Sequence, residues 1–408
     1  MKWILHFSRI AAVILFILPV ILSAGDLSGN ISIESRLFPQ DALYRDQAGN
    51  NISLAFQPEY YLEWSRGYQS LLFSPYLRLD QNDDERTHFD IRELQWQYIA
   101  RNWELRVGIR RVFWGVIETY HLVDVINQTD LVENPDFEDK LGQPMVNLAL
   151  IRDWGTVDLF LLLGFRERTF PGIKGRLRPS LTVDTKRVSY ESKDEEKHLD
   201  YAIRYEHSLS IWDIGISHFV GTNREPALKL EFDDSSDFPE ITAARYELVP
   251  FYEQMNQTSL DLQGTFESGL LLKLEALTRK GMGERFFAAS GGLEYTFYGI
   301  NQTNIDMGFL FEYHYDERGD DATTPFQDDV FIGARFALND VQSTDLLAGA
   351  IIDVDTGGSA LVLETTRRVG ENWKLEIQLR SFVNASSDDP LYSFRNDDML
   401  QIELFRYF

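Results

Sequence analysis

The chain contains no cysteine, few basic residues for its acidic content, and no long apolar run after its first 25 residues. Without cysteine, it offers no disulfide framework and no thiol for lipid attachment. Its 39 basic residues face 64 acidic ones; nucleic acid is not an expected partner, because phosphates are bound by basic surfaces. Without 18 or more successive apolar residues, membrane-spanning helices are not expected. We predict no cofactor and no metal, because the sequence has no glycine-rich phosphate cradle and no metal-spaced histidine cluster.

The N-terminus has the three parts of a secretory signal peptide. A basic start precedes an apolar run over 10–22, and small residues follow it as far as Gly25. We predict a signal peptide at 1–25 and a mature domain at 26–408, with an uncleaved anchor as the alternative. Cleavage removes two of the 39 basic residues and no acidic one, which leaves a net charge of −27. An exported chain without cysteine fits the envelope of a Gram-negative bacterium.

Apolar and polar residues alternate with a period of two along most of the mature chain, which is the pattern of strands. Aromatic residues make up 13% of the chain and cluster near the ends of these segments, as in the girdles of outer-membrane barrels. That clustering favours a barrel over a soluble β-sandwich, which would share the alternation. Eighteen strands are predicted, at 29–38, 52–65, 69–80, 88–101, 103–113, 145–153, 156–166, 198–208, 211–221, 257–267, 270–279, 287–298, 302–316, 329–338, 342–353, 359–368, 372–382 and 398–408.

The lengths of the connections also indicate a barrel. Tight turns such as 208–211 and 339–342 alternate without exception with longer segments such as 39–51 and 167–197, as periplasmic turns and outer loops do. The predicted fold is all-β: a transmembrane antiparallel barrel of about 18 strands in the outer membrane of a Gram-negative bacterium. The segment 243–256 is a candidate additional strand.

The chain ends inside an alternating segment, LQIELFRYF at 400–408. In a closed barrel the last strand pairs with the first, so a strand that runs to the final residue is expected. A C-terminal phenylalanine also resembles the signal that outer-membrane barrels present to the barrel assembly machinery, and we assign Phe408 to assembly. Arg406 departs from that signal and requires either a bulge or an interfacial arginine.

The segment 114–144 is unusual for a loop, because it is both acidic and apolar. It carries seven carboxylates against the single basic residue Lys140, and its apolar side chains need a wall to pack against. We predict that it folds into the lumen that 18 strands leave open. A lid over the barrel mouth and a contact between subunits of a homo-oligomer are the alternatives. Strand one follows the signal so closely that a plug domain is not expected.

Arginines at inward positions of the strands are predicted to face this loop. An arginine wall opposite an acidic loop sets up a transverse field that orients polar or charged solutes and excludes apolar ones. Small polar solutes such as organic acids or oligosaccharides are the expected cargo. The candidate pore-lining residues are Arg78, Arg106, Arg110, Trp114, Glu118, Asp124, Asn127, Asp130, Arg204 and Arg335, with Arg152, Arg166 and Arg380 in similar positions.

The stretch from Arg110 to Val146 contains a Trp-Gly pair followed by VDVINQTDL. It resembles a segment of a poorly characterised family of Gram-negative outer-membrane porin-like barrels, loosely grouped with alginate-export and other substrate-specific porins. Gln128 replaces the usual proline of that segment. The resemblance implies a single-chain outer-membrane barrel and no particular solute. The residues that carry it are Trp114, Gly115, Asp124, Asn127, Asp130 and Leu131.

Three classes of function remain. We favour a channel for diffusion or for selective uptake or export of small polar solutes. A closed structural or assembly-partner barrel is the first alternative. An outer-membrane enzyme is the second, but no serine motif accompanies a histidine that would act as base, so we predict no catalytic residue. The histidines of the mature chain that could act as such a base are His88, His121, His198, His207, His218 and His314.

Charged outer loops suggest further contacts. Five basic residues in 166–179 suit the phosphates of lipopolysaccharide at the outer rim, and outer-membrane lipid is the expected surrounding. The acidic segments 232–240 and 316–329 offer carboxylates for Ca²⁺ but lack the spacing of a dedicated calcium loop, so solvated loops are the preferred interpretation.

Overall fold

The structure is a computed structural model that describes residues 25–232, 246–281, 283–387 and 389–408. The predicted signal peptide lies outside the described residues, apart from Gly25, and stays a prediction. The acidic segment 232–240 also lies outside them, apart from Phe232.

In the described part of the chain, eighteen antiparallel strands form one closed sheet. Each strand of the barrel pairs with the next one along the chain, and β1 (Asp26–Leu37) pairs with β21 (Met399–Tyr407) to close it. The predicted strand count is confirmed. The other barrel strands are β2 (Asn51–Trp64), β3 (Gln69–Asp80), β4 (His88–Ile99), β5 (Trp103–Arg110), β6 (Gln143–Arg152), β7 (Gly155–Leu163), β9 (Leu199–Leu209), β10 (Trp212–Thr222), β13 (Gln254–Thr265), β14 (Leu270–Lys280), β15 (Phe286–Phe297), β16 (Asp306–Asp316), β17 (Asp328–Ala337), β18 (Asp345–Asp353), β19 (Ser359–Val369) and β20 (Trp373–Val383).

A small second sheet forms in the long connections after β7 and β10. In it β11 (Ala227–Phe232) pairs antiparallel with β12 (Tyr246–Tyr252), which pairs parallel with β8 (Ser189–Tyr190). The candidate strand at 243–256 therefore exists in part as β12, but it lies in this sheet and not in the barrel. Helical structure among the described residues consists of short 3₁₀ turns, and no helix there has the length and apolarity to cross a membrane. These turns are Glu195–Lys197, Ile300–Gln302, Gly319–Asp321 and Pro390–Phe394.

The alternation of the sequence places apolar residues outside the barrel and polar residues inside it. On β1, Ile31 and Ile33 are 44% and 51% exposed, whereas Ser32 and Glu34 are each 2% exposed. A continuous exposed apolar surface of this kind is stable against lipid and not against water. The predicted all-β transmembrane barrel is confirmed as the fold.

Aromatic residues gather at both rims of the outer surface, as the girdle pattern predicts. At the rim of the short turns, the exposed aromatic residues include Tyr68, Trp154, Tyr298, Trp373 and Phe408. At the opposite rim they include Phe89, Tyr201, Phe287, Tyr313 and Tyr315.

The predicted alternation of tight and long connections has exceptions. The connection 298–305 lies among the tight turns but is longer than 281–285 and 354–358 at the opposite rim. Residues 300–302 form a 3₁₀ turn, and Ile300 N–H donates to Ile305 O (2.9 Å), which takes up the extra length. The strand count is unaffected, because it follows from the alternation within strands.

The last residues complete the closing pair without a bulge. Phe408 N–H donates to Gly29 O (3.1 Å), and its ring stacks on that of Phe56. The guanidinium of Arg406 lies 5.5 Å from the centre of the Trp373 ring on the outer surface. Arg406 is therefore an interfacial arginine, one of the two arrangements predicted; the role of Phe408 in assembly stays a prediction.

Candidate functional site

The connection between β5 and β6, residues 111–142, lies inside the barrel, and we call it the lumen loop. Its carboxylates form ion pairs with arginines of three strands that stand far apart in the sheet, β3, β17 and β20. The lumen loop therefore crosses the space between these strands. The three ion pairs are Glu118–Arg335 (2.5 Å), Glu133–Arg78 (2.8 Å) and Asp136–Arg380 (2.7 Å).

Two carboxylates of the barrel wall bind the backbone of the lumen loop. Glu275 on β14 accepts hydrogen bonds from three N–H groups, those of Val116 (2.6 Å), Ile117 (3.0 Å) and Val123 (3.1 Å). Glu312 on β16 accepts hydrogen bonds from the N–H groups of Glu118 (2.7 Å) and Thr119 (3.1 Å). Buried N–H groups need acceptors, so these carboxylates fix the path of the loop.

Trp114 and Gly115, at the start of the loop, contact two different parts of the barrel wall. Trp114 is 3% exposed, packs edge-on against Phe160, and lies 5.0 Å from the guanidinium of Arg204. Gly115 has a φ of +140°, and a side chain there would lie 2.9 Å from the Glu275 carboxylate. Only glycine combines this backbone conformation with this approach, which explains the residue at this position.

Apolar residues of the lumen loop form a core with the barrel wall. Val123, Val125 and Ile126 are at most 2% exposed, and burial of such side chains stabilises the loop in the lumen. A smaller cluster joins Leu122 to the wall at β14 and β15. The residues of the barrel wall that form this core with Val123, Val125 and Ile126 are Met145, Phe160, Leu162, Ala202, Phe219 and Met255.

Asn127 joins the two ends of the lumen loop. Its side-chain N–H groups donate to Arg110 O (2.9 Å) and Leu141 O (2.8 Å), and its oxygen accepts from Val112 N–H (2.8 Å). Asn127 is 1% exposed. It therefore holds the two ends of the loop together; a part in lining a passage stays a prediction.

Asp124 and Asp130 are also buried within the loop. Asp124 lies 3.5 Å from the Lys140 ammonium, and burial raises the pKa of its carboxyl despite that charge. Asp130 accepts a hydrogen bond from the Thr169 hydroxyl (2.6 Å) and pairs with Arg92 (2.7 Å). Both carboxylates contact protein groups, so the structure places them as parts of the loop's framework.

Three of the predicted pore-lining arginines contact wall residues. Arg106 contacts Glu104 and Asn147, and Arg110 donates to the Asn147 side-chain oxygen (2.6 Å). Arg204 makes two hydrogen bonds to Asp261 (2.7 and 2.8 Å) and contacts the loop through Trp114. Alternation predicts which way such a side chain points, but the strand register decides its partner.

A buried charge network that the sequence patterns do not predict lies at the other end of the loop. Glu34 on β1 forms ion pairs with Arg36 (3.1 Å), Arg78 (3.2 Å) and Arg86 (2.8 Å). Arg36 and Arg92 stand at inward positions of alternating strands, so the same pattern could have found them. Arg86 lies in the connection after β3, where no alternation of apolar and polar residues predicts the direction of a side chain.

A cavity of about 670 Å³ lies between the lumen loop, the outer connections and strands β17 to β20. We call it the apolar cavity, because phenylalanine and aliphatic side chains form most of its lining. The Phe331 ring lies next to Gly349, where a side chain would approach a ring atom to 2.4 Å. In the sequence, the sign of this cavity is the run 346–352, whose residues are apolar or small on both faces of β18. Its principal lining residues are Phe170, Phe326, Phe331, Ile351, Val362 and Phe382, with Arg168, Glu364 and Arg380 among the charged ones.

The basic cluster at 166–179 is largely turned toward the protein. Arg166 pairs with Asp90 (2.8 Å), Arg176 pairs with Asp397 (2.6 Å), and Arg178 is 3% exposed. Lys174 is exposed. Binding of lipopolysaccharide by this segment, and of Ca²⁺ by 316–329, stay predictions.

A serine does lie beside a histidine in the wall. Ser290 and His314 are 2.8 Å apart between the hydroxyl and Nδ1, and His314 Nε2 lies 2.8 Å from the Thr119 hydroxyl of the lumen loop. Ser290 and His314 are 2% and 1% exposed. The contact with Thr119 ties the wall to the lumen loop, and both side chains of the Ser290–His314 pair are buried.

Comparison with known proteins gives a fold and no family. No protein-family model matches the chain, and no curated protein matches it. Wzi, an outer-membrane protein of Escherichia coli described as a carbohydrate-binding β-barrel, has 8% identity over 93% of this chain and 84% of its own, with a TM-score of 0.51. A mutant of the Rhodobacter blastica porin has 12% identity over 94% and 100%, with a TM-score of 0.45.

At these identities the likeness concerns the fold alone, and of these two structures Wzi has the TM-score above 0.5. The chain is therefore a closed 18-stranded barrel with the fold of an outer-membrane protein. The particular porin-like family that the Trp-Gly segment resembles stays a prediction.

Proposed function

We propose that this protein is a channel in the outer membrane of a Gram-negative bacterium, and that the lumen loop narrows it so that small solutes pass selectively. The observation that carries the proposal is the loop's position across the lumen, held by Arg78, Arg335 and Arg380 from three strands. A loop in this place reduces the open cross-section and lines the remaining passage with charge.

The apolar cavity narrows the class of solute. Phe331, Ile351 and Phe382 offer an apolar surface, while Arg380 provides a buried Nε–H without a hydrogen-bond partner among the described residues. An apolar wall favours a hydrocarbon or aromatic group, and a guanidinium favours a carboxylate. Small organic acids with an apolar part therefore fit this lining better than oligosaccharides do.

The proposal is tested by conductance in planar bilayers. We expect steady single-channel currents, and partial block of these currents by an aromatic monocarboxylate such as benzoate. Arg380→Gln should weaken the block by about tenfold, the loss of one charge-assisted hydrogen bond. The exposed Arg367, which pairs with Asp340 at the other rim, provides the control Arg367→Gln. A wild-type protein that carries no steady current is not a channel.

A closed barrel is the second candidate, because the core around Val123, Val125 and Ile126 fills part of the lumen with packed side chains. Wzi, whose fold is similar, is a carbohydrate-binding barrel involved in capsule assembly. A closed barrel of this chain would bind a carbohydrate at its outer loops without conducting ions. Binding of oligosaccharides in the absence of current would favour this candidate.

A further inference from the structure

Three buried polar atoms converge where the lumen loop meets the start of β4. His88 Nε2, Asp130 Oδ2 and Glu133 Oε1 lie within 4.8 Å of one another. None of them has a hydrogen-bond partner among the described residues, although the Arg92 guanidinium forms an ion pair with Asp130 Oδ2 at 2.7 Å. Asp130 is 0% exposed and Glu133 5%. Buried polar atoms without a hydrogen bond, here His88 Nε2 and Glu133 Oε1, are costly unless something lies between them.

The orientation of His88 directs a lone pair toward the two carboxylates. Its Nδ1 lies 3.0 Å from the carbonyl oxygen of Arg86, which can only accept, so Nδ1 carries the hydrogen. In the neutral ring, Nε2 then presents a lone pair to Glu133 Oε1 at 3.4 Å and to Asp130 Oδ2 at 3.8 Å. Histidines that bind metals are usually held in this way, by donating their other ring N–H to a carbonyl or carboxylate.

The second oxygen of each carboxylate is held by other groups. Glu133 Oε2 lies 2.8 Å from Arg78 Nε and accepts a hydrogen bond from the Tyr76 hydroxyl (2.8 Å). Asp130 Oδ1 accepts from the Thr169 hydroxyl (2.6 Å). These contacts leave one oxygen of each carboxylate directed into the cluster, and they fix its position before any ligand arrives.

We propose that His88, Asp130 and Glu133 bind a divalent transition-metal ion of the Zn²⁺ type, with water as a fourth ligand. Bonds of about 2.0–2.2 Å to nitrogen and oxygen place tetrahedral ligands about 3.4 Å apart, close to the 3.4 and 3.8 Å between Nε2 and the two oxygens. An imidazole in the set favours Zn²⁺ over Ca²⁺, which prefers oxygen ligands alone. The positive charges of Arg78 and Arg92 weaken the site, and the Arg92 guanidinium, 2.7 Å from Asp130 Oδ2, would share that oxygen with the ion.

The ion would tie the lumen loop to the barrel wall. His88 belongs to β4, whereas Asp130 and Glu133 belong to the loop. The loop would then be held at this end by a metal in addition to its ion pairs. This proposal concerns binding, and it stands or falls independently of whether the barrel conducts.

Calorimetric titration tests the site directly. The purified mature protein, stripped with a chelator, should bind one Zn²⁺ per chain that His88→Gln weakens by about tenfold or more. His218→Gln is the matched control, because His218 is on the outer surface beside Thr258, and it should bind as the wild type does. Heat-modifiable gel mobility shows whether each variant is folded.

A second measurement covers the case in which His88→Gln does not fold. Co²⁺ added to the wild-type protein should give the visible absorption of tetrahedral coordination, and Zn²⁺ should displace it. A wild type that binds neither ion, or a folded His88→Gln that binds Zn²⁺ equally well, would overturn the proposal.

Discussion

At the scale of single residues, the position of the lumen loop depends on a few buried groups. Glu275 is 0% exposed and accepts three backbone N–H groups, and Asn127 joins the two ends of the loop. Such groups are more decisive than exposed charges, because a lost partner leaves buried polar atoms unsatisfied.

We expect Glu275→Ala to loosen the loop without unfolding the barrel. Each of the three N–H groups left without an acceptor costs about 1–3 kcal/mol if it stays buried, so the loop should undock more often. Limited proteolysis should then cleave within 111–142 faster than in the wild type. Glu267→Ala, in an exposed turn after β13, is the control. Equal cleavage of the two variants would show that Glu275 does not position the loop.

The docked loop should also respond to pH through His121. Burial lowers the pKa of His121, but the hydrogen bond and charge of Glu138 and the charges of Glu275 and Asp124 outweigh it, and the pKa lies above the usual 6.5. A raised histidine pKa adds stability that is complete below pH 6.5 and is lost as pH rises through the folded-state value.

Proteolysis within 111–142 should accordingly be slower at pH 5.5 than at pH 8.5. In His121→Gln, which cannot gain a proton at this position, the difference between the two rates should be smaller than in the wild type. A wild-type rate that is independent of pH would be inconsistent with this role of His121.

At the scale of strands and loops, the alternation of apolar and polar residues predicts the strands of the barrel well and the bounds of the connections less well. β3 was predicted and found at 69–80, whereas β16 was predicted to begin at 302 and begins at Asp306, because 300–302 form a 3₁₀ turn. Local periodicity decides whether a strand exists, but hydrogen bonds outside the strand decide where it ends.

The site was less predictable than the strands. The composition of 114–144 predicts a loop in the lumen, but it does not predict that Asn127 joins the two ends of this loop. The partners of Arg106 and Arg110 follow from the pairing of β5 with β6, which places Asn147 beside them. A single sequence contains no direct signal for that register.

Packing between β17 and β18 offers a test at this scale. A side chain on Gly349 would lie 2.4 Å from the Phe331 ring, whereas one on Gly291 would meet no atom within 4 Å. Gly349→Ala should displace Phe331 and destabilise the barrel by about 1–3 kcal/mol. Thermal unfolding followed by heat-modifiable mobility should show a lower midpoint for Gly349→Ala than for Gly291→Ala. Equal unfolding midpoints for the two variants would mean that the position of the Phe331 ring does not depend on Gly349.

At the scale of the whole molecule, the closed sheet requires the short turns to share one side of the membrane. With the N-terminus and these turns in the periplasm, epitope tags within 39–51, 167–197 and 317–328 should be accessible to antibody on intact cells. Tags within 208–211 and 339–342 should be accessible only after the outer membrane is opened. Labelling of the second group on intact cells would reverse or refute this topology.

The conductance of the wild type compared with that of a variant lacking 118–139 tests the central claim most directly. The deletion removes Glu118, Glu133 and Asp136, the carboxylates that join the loop to Arg335, Arg78 and Arg380. Because eighteen strands leave a water-filled lumen when nothing fills it, we expect a severalfold larger single-channel conductance and a changed reversal potential in a salt gradient. Equal conductance and an unchanged reversal potential in a correctly folded variant would contradict the assignment of the lumen loop as the constriction.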